Sequence, residues 1–591
     1  MNLDENQTKL VNLKEGRYII YAGAGSGKTA TIEHRVKQLI EDGINPSSIL
    51  CITFTSAAAQ EMSIRIANPE VHCSTIHSLM LKILKAEGRK LFPELYPVKV
   101  LSPAKQHILF TKCLANIFDT DIEARSVKMM IEKAANKMLL STGDEEVDDV
   151  WQLYKEAKLK DGSIDFTDML TMGLECLKAN QLKYQKKFEW LLLDEGQDTS
   201  KIQHEAIRLI ANSNIFILCS VEQSLYGWRT ASPELMLNIE ETYPDIQKFY
   251  LDRNYRSGDR IISIANNLIA DSKYKTLLMT GLGKSSTTEY LGHFSNINEE
   301  IDTICNMIKP DEDTMILYRT NWYSMSVELG LKLYGLKYEF ISGTSFFDFS
   351  EVQDMICFCR LAKNQEDTEA FDRIFNKPNR YLGHKWKASF DIEYSRVNSI
   401  RQALDTNYQD ANSRERAYWK KSQVELLGIL GILEHLERPD DIINIVRRQL
   451  KYNQYWLKQC QSDDEDESAL ARLDELESAA SQYADLDLFL ESAKGSYSGG
   501  ILGNGDRECN VRLGTGHASK GLEADTVFII GLMQGLLPHY RSTDIEEERR
   551  ILYVMLTRGR SKVYMSSCWH RQWEKPSNFL YQLRGDVIIN D

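Results

Sequence analysis

Ala22-Gly23-Ala24-Gly25-Ser26-Gly27-Lys28-Thr29 follows the apolar run Tyr18-Ile19-Ile20-Tyr21 and precedes a stretch patterned as a helix. A strand that ends in glycines can fold its backbone N–H groups around a phosphate, and the helix that follows presents the positive end of its dipole to the same anion. In that reading residues Ala22, Gly23, Ala24, Gly25, Ser26 and Gly27 form the cradle, Lys28 reaches the β- and γ-phosphates, and Thr29 holds Mg²⁺. The competing reading is an ordinary glycine-rich turn, because the strict pattern has glycine where this chain has Ala22.

Working outward, the 591 residues are enough for three or four domains. Hydrophobic residues make up 43% and charged residues 26%, an ordinary globular balance, and no segment offers the roughly 18 consecutive apolar residues of a bilayer span. The polar start Met1-Asn2-Leu3-Asp4-Glu5-Asn6-Gln7 lacks a signal-peptide pattern, so a cytoplasmic location and no membrane partner are expected. Eleven cysteines occur without a CxxC pair, which predicts free thiols and no metal cluster, with Cys357 and Cys359 in core positions. A formal charge of −14 argues against a protein that coats nucleic acid over its whole surface but leaves room for a local groove.

In chain order, Gln7 precedes the first strand, where an amide could read an adenine edge by donating one hydrogen bond and accepting another. Thr31 to Ile40 has helical spacing and carries Arg35, and Ser48 to Thr55 reads as a buried strand with a polar end. This is α/β order, and parallel sheets place ligands beyond the carboxyl ends of their strands, which puts Lys28 and Phe54 along one rim. From Ser74-Thr75-Ile76-His77-Ser78 to about Lys186 the periods are helical, a predicted insertion. The strand pattern resumes at Phe188-Glu189-Trp190-Leu191-Leu192-Leu193 and ends in Asp194-Glu195. Paired carboxylates at a strand end are often solvated turn residues; downstream of a phosphate loop they read as a Mg²⁺ ligand and a group that orients or deprotonates water. A third strand, Ile215 to Ser220, leads to Gln223, placed to sense a γ-phosphate, and to Tyr226 and Trp228, flat faces on which unpaired bases stack. Core packing is the alternative for Trp228.

A second α/β series follows at Thr314–Arg319, Asp525–Ile530 and Lys562–Ser566, and about Pro378 to Ser492 is again helical, with Pro439-Asp440-Asp441 predicting a helix start before Ile442 to Leu457. Asp463-Asp464-Glu465-Asp466-Glu467 reads as a solvated loop, and the glycines from Gly495 to Gly505 as a flexible connection.

With these segments in order, the chain resembles the UvrD/Rep-type superfamily 1 DNA helicases nearly end to end. The resemblance rests on Ala22–Thr29, Ile52–Thr55, Ser74–Ser78, Asp165–Asp168, Leu193–Asp198, Gln223–Arg229, Asn254–Ser257, Leu317–Asn321, Phe346–Asp348, Thr515–Glu523 and Glu546–Arg550 through Tyr553 to Thr557-Arg558. It implies two RecA-like P-loop motor lobes with parallel sheets, each interrupted by a mainly helical insertion. The implied division is a first lobe at 1–81 and 187–262, an insertion at 82–186, a second lobe at 263–377 and 506–591, and a short insertion at 378–505. It also implies an ATP site between the lobes. There Lys28, Thr29 and Asp194 hold phosphate and Mg²⁺, Glu195 activates water, and Gln223, Arg256 and Arg558 contact the γ-phosphate. Gln7, Arg35 and Tyr255 match adenine contacts, Glu523 a ribose contact, and Phe54, His77, Tyr226, Trp228 and His517 the nucleic-acid track. The implied activity is ATP-driven 3′–5′ translocation on single-stranded DNA with strand separation at single/double-strand junctions, in repair, recombination or replication.

The chain departs from the family pattern at Gly196, at Cys219-Ser220, at Gly516 and at Arg380-Tyr381-Leu382-Gly383 in the short second insertion. Two other readings therefore stay open: a motor subunit of a nuclease or antiviral defence complex that translocates on DNA but needs a nuclease or repair-protein partner, and a nucleotide-gated nucleic-acid binding switch.

Overall fold

The computed structural model describes residues 3–118, 124–227, 230–309, 311–342, 345–406, 413–457, 463–481, 483, 485–493, 510–569, 575–583 and 588–589. The chain forms two compact units, the first made of residues 1–293 and 519–591 and the second of residues 294–518.

In the first unit the strands are β1 (Arg17–Ala22), β2 (Ile49–Thr53), β3 (His72–Thr75), the short pair β4 (Lys99–Val100) and β5 (Ser163–Ile164), β6 (Trp190–Leu193), β7 (Asn214–Cys219) and β8 (Gln247–Leu251). Six of them build one sheet in the order β3-β2-β6-β7-β1-β8, and every neighbouring pair is parallel. A parallel sheet is covered on both faces, so its strands must be apolar at every position. Ile19, Tyr21, Leu50, Ile52, Leu191, Leu193, Ile215 and Ile217 pack into one core. The alternating residues Tyr18, Ile20, Ala22, Ile49, Cys51, Trp190, Leu192, Phe216 and Leu218 pack into another on the opposite face. The unbroken apolar runs of the sequence are the direct record of this two-sided burial.

Helices α1 (Glu5–Val11), α2 (Lys28–Glu41), α3 (Ser56–Ile66) and α4 (Ile76–Glu87) start where the local chemistry supplies caps. Thr55 and Thr75 accept from the backbone N–H groups of Ala58 and Ser78, which stops β2 and β3 and opens α3 and α4. The unit also holds β9 (Thr287–Phe294).

The second unit contains β10 (Thr314–Tyr318), β11 (Tyr338–Phe340) and β12 (Val511–Thr515), with β12 parallel to both β10 and β11. The first unit contributes a further parallel pair, β13 (Ala524–Ile529) with β14 (Gly559–Cys568). The expected α/β class with two sets of parallel strands is thus present, and helices dominate 82–186 and 378–493. Cys357 and Cys359 lie in the core of the second unit with Phe346, Phe358, Phe371, Trp386 and Tyr452.

Two expectations are corrected. Asp463–Glu467 is not a loop: it opens a helix, Asp463–Ala480, a position at which acidic residue types suit the helix dipole. Ile442–Leu457 is not one helix. Pro439–Asn444 is α-helical, Ile445–Gln449 widens into a π-helical turn, Lys451 adopts φ +59°, and Tyr452–Leu457 forms a separate helix. The widened turn carries Arg447 inward, 3% exposed, to donate to the Leu473 carbonyl at 3.0 Å and to pair with Asp474 and Glu477. The glycine-rich connection at 495–505 lies outside the described residues. Among the described residues no helix is long and apolar enough to cross a membrane.

The second unit is pinned by Asp354, which has no exposed surface and accepts from Arg373 Nε at 2.7 Å, Lys377 Nζ at 2.7 Å and the Tyr452 hydroxyl at 2.6 Å. Asp354→Ala leaves these donors unpaired and is expected to cost about 3 kcal/mol. The check is denaturant unfolding followed by a probe in residues 294–518.

Candidate nucleotide and nucleic-acid site

The phosphate loop lies between the end of β1 and the start of α2. Gly25 (φ +66°) and Gly27 (φ +80°) are in the left-handed region, and Gly27 is the N-cap of α2, so the turn exposes its N–H groups as glycine allows. The loop is held by Asn254, which follows β8, the strand beside β1, and is fully buried. Its Nδ2 donates to the Ala24 carbonyl at 2.8 Å, and its Oδ1 accepts from Arg256 N and Ser257 N, each at 2.8 Å. Tyr255 N donates to the Gly25 carbonyl at 2.9 Å. A Cβ at Gly25 would stand 2.8 Å from both Asn254 Oδ1 and Arg256 Cβ.

Gln7 is drawn to this loop. Its Nε2 donates to the Ser26 carbonyl at 2.9 Å, while its Oε1 accepts from Asp4 N at 3.0 Å within the capping box of α1. The Tyr255 hydroxyl donates to Asp4. Gln7 and Tyr255 therefore flank the loop through a shared partner.

Lys28, the first residue of α2, donates to Gln223 Oε1 at 3.2 Å. Burial pulls its pKa down against the upward pull of Glu195 and Asp194. Thr29 follows it on the first turn. Asp194 leaves β6 with its N–H bonded to the Ile52 carbonyl and its Oδ1 accepting from Glu195 N at 3.0 Å. Burial and the charge of Glu195 raise the Asp194 pKa. Glu195 has φ +53°, an uncommon conformation for a residue with a side chain. Burial acts upward on it too, but Lys520 and Lys28 outweigh burial and hold its carboxyl well below the usual range. Gln197 joins these parts, donating to Glu195 and accepting from Ser220 N at 2.8 Å.

Lys520 was not singled out from the sequence, although it stands inside the Thr515–Glu523 segment. It pairs with Asp198, approaches Glu195 Oε2 at 3.6 Å and lies 5.1 Å from the centre of the Tyr226 ring. Tyr226 in turn stacks on Phe54, with ring centres 4.8 Å apart and planes at 18°. One cation thus meets Glu195 and Asp198 on one side and the Tyr226 ring on the other.

Arg256 donates to Glu523 Oε2 at 2.5 Å and to the Thr557 carbonyl at 3.2 Å, and Glu523 also accepts from Arg560 at 3.1 Å. Arg558 is 2% exposed and bonded to the Val554 and Leu522 carbonyls at 2.9 and 3.1 Å. Burial and the charge of Arg256 bring its pKa down to about 9. The first unit therefore gathers Lys28, Asp194, Glu195, Gln223, Arg256, Glu523 and Arg558 around the loop. Fit to a nucleotide is supported by buried polar atoms without a hydrogen-bond partner among the described residues: Ser26 Oγ, Gln223 Nε2 and Ser220 Oγ.

Arg35, on α2, is fully buried, donates to the Val11 carbonyl at 2.6 Å and stacks 4.6 Å from the Trp190 ring centre, with its Nε and Nη2 buried and without a hydrogen-bond partner among the described residues. His77 begins α4 and meets Phe166 edge-on at 6.1 Å. His517 follows β12 in the second unit. Trp228 lies outside the described residues.

A glycine-rich loop at a strand-to-helix turn, two carboxylates at the end of a parallel strand of the same sheet and converging cations define a P-loop nucleotide hydrolase. Comparison with known proteins carries this further. The UvrD/REP helicase N-terminal domain model matches residues 3–244 and the UvrD-like helicase C-terminal domain model residues 249–570. A protein of Buchnera aphidicola subsp. Acyrthosiphon pisum named ATP-dependent DNA helicase Rep is 30% identical across 99% of this chain and 98% of its own length. ATP-dependent DNA helicase PcrA of Leuconostoc citreum is 28% identical across 99% of this chain and 85% of its own. The chain belongs to the UvrD/Rep helicase family.

Gly25→Ala is expected to abolish nucleotide binding, since it sets a strained φ of about 1–3 kcal/mol on top of the clash with Asn254. Titration with a fluorescent ATP analogue checks this, and wild-type affinity would refute the loop geometry.

Proposed function

We propose that this protein is an ATP-dependent DNA helicase that translocates 3′ to 5′ along single-stranded DNA and separates strands at single/double-strand junctions, acting in repair, recombination or replication in the cytoplasm. The observation that carries the reading is the convergence of Lys28, Glu195, Gln223, Arg256 and Arg558 on one phosphate loop. The sequence, family and relatives' names point the same way.

In this reading the loop from Ala22 to Gly27 and Lys28 hold the ATP phosphates, while Gln7, Tyr255 and Glu523 face the base and ribose. Thr29 and Asp194 hold Mg²⁺, which supplies charge neutralisation at the phosphates. Glu195, kept ionised by Lys520 and Lys28, accepts the proton of the attacking water. Arg256 and Arg558 stabilise charge that spreads over the phosphoryl oxygens, which guanidinium groups do without losing a proton. Phe54, His77, Tyr226, Trp228 and His517 form the nucleic-acid track, with bases stacking on Phe54 and Tyr226 at about 1–3 kcal/mol each. We retain the four-part division at 1–81 with 187–262, 82–186, 263–377 with 506–591, and 378–505.

A partner-dependent motor is the second reading, favoured by Arg380. That residue is 4% exposed, donates from Nη1 to the Phe375 and Pro378 carbonyls and pairs through Nε with Glu425, at the segment that departs from the family pattern.

The deciding experiment is ATPase activity with and without single-stranded DNA, beside unwinding of duplexes with a 3′ or a 5′ tail. Strong stimulation with 3′-tail unwinding supports the helicase; stimulation without unwinding supports the partner-dependent motor; no stimulation overturns both. Glu195→Gln is expected to keep ATP binding and lower turnover by about 10²–10⁴-fold, read by steady-state hydrolysis. Phe54→Ala is expected to weaken single-stranded DNA binding by about 1–3 kcal/mol with ATP affinity unchanged, read by fluorescence anisotropy.

A further inference from the structure

Cys51 of β2 and Cys73 of β3 are register partners on adjacent parallel strands. Register partners leave a sheet on the same face, and both cysteines pack with the cluster that contains Ile49, Met62 and Ile66. Adjacent strands lie about 4.8 Å apart, within the roughly 4.4–6.8 Å Cα separation that a disulfide spans. Both thiols are free. Among the nine described cysteines Cys73 is the one not buried, and its strand is the outermost of the sheet.

We propose that Cys51 and Cys73 form a peroxide-sensitive site that closes into a reversible disulfide between β2 and β3. Cys73, the more exposed of the two, is the attacking thiolate and Cys51 the resolving thiol; the neighbouring Cys51 holds the Cys73 pKa below the usual thiol range against burial, and Cys73 and burial push Cys51 up. The Cys73 thiolate attacks hydrogen peroxide; the S–O bond forms, the O–O bond breaks, and hydroxide leaves and takes up a proton as water. Cys51 then loses its proton and attacks the Cys73 sulfenic acid; the S–S bond forms, the S–O bond breaks, and the departing hydroxide takes that proton as a second water. Two thiols are oxidised by two electrons and one peroxide is reduced. A thiol reductant reverses the bond by exchange. The bridge would join the two strands just before Phe54 and His77, the residues that β2 and β3 deliver to the sheet rim. The inference stands on strand register and thiol exposure and is independent of the proposed helicase activity.

The test is mass spectrometry of the folded full chain, treated with hydrogen peroxide, alkylated and digested without reductant. The expected result is one species joining the Cys51 and Cys73 peptides, lighter than their sum by two hydrogens and lost on treatment with dithiothreitol. Cys51→Ser is expected to trap Cys73 as a sulfenic acid that dimedone labels, and Cys73→Ser to leave Cys51 reduced; circular dichroism confirms that each variant is folded. Recovery of both peptides alkylated, of Cys73 as sulfinic acid without a linked peptide, or of the link only in denaturant would overturn the proposal.

Discussion

The site depends on one buried amide. Asn254 spends its donor on the phosphate loop and its acceptor on the two N–H groups that follow it in its own chain. The shape of the Gly25 turn and the direction of Arg256 are therefore set by the same side chain. A buried, fully engaged amide in a low-dielectric interior is costly to leave half-satisfied. Loop and arginine are thereby held in a single arrangement, as positioning of charge at a transferring phosphate requires.

Around that clasp the charges form a closed circuit. Two carboxylates on successive residues would repel if both were ionised in a buried place. Asymmetry resolves the conflict: Lys520 stands against Glu195 and Asp198, while Asp194 is left with an unfavourable charge that a cation would relieve. Because Lys520 also lies over Tyr226, which stacks on Phe54, a change at the aromatic pair is felt by the residue that keeps Glu195 ionised. The left-handed backbone at Glu195 fits the same picture, since strained residues persist where their surroundings over-determine them.

Much of this was legible in the residues themselves. The parallel sheet announces itself because two-sided burial demands unbroken apolar strands, and the loop because only glycine permits its turns. The carboxylates at the end of β6 follow from strand position. Lys520 was not legible: a lysine in a polar stretch carries no sign of which acid it meets, and its partner Asp198 lies 322 residues away. The packing of Arg35 against Trp190 was not legible either, since it follows from how α2 seats on the sheet and not from the spacing after the phosphate loop. The break near Arg447 was hidden because a buried arginine interrupts helical spacing without a proline or glycine to mark it.

The long separations carry a consequence for biosynthesis. Ser257 Oγ bonds the Gly559 carbonyl, Gly258 N bonds the Arg560 carbonyl, and Arg256 pairs with Glu523. The segment that begins at Asn254 thus meets its partners only after some 300 further residues have been made. At about 5–20 residues per second a ribosome needs roughly 15–60 s for that stretch. During that interval the nascent first unit has its phosphate loop and Arg256 but not Lys520, Glu523 or Arg558, so the protein completes its charged site only once residues 520–558 have been synthesised.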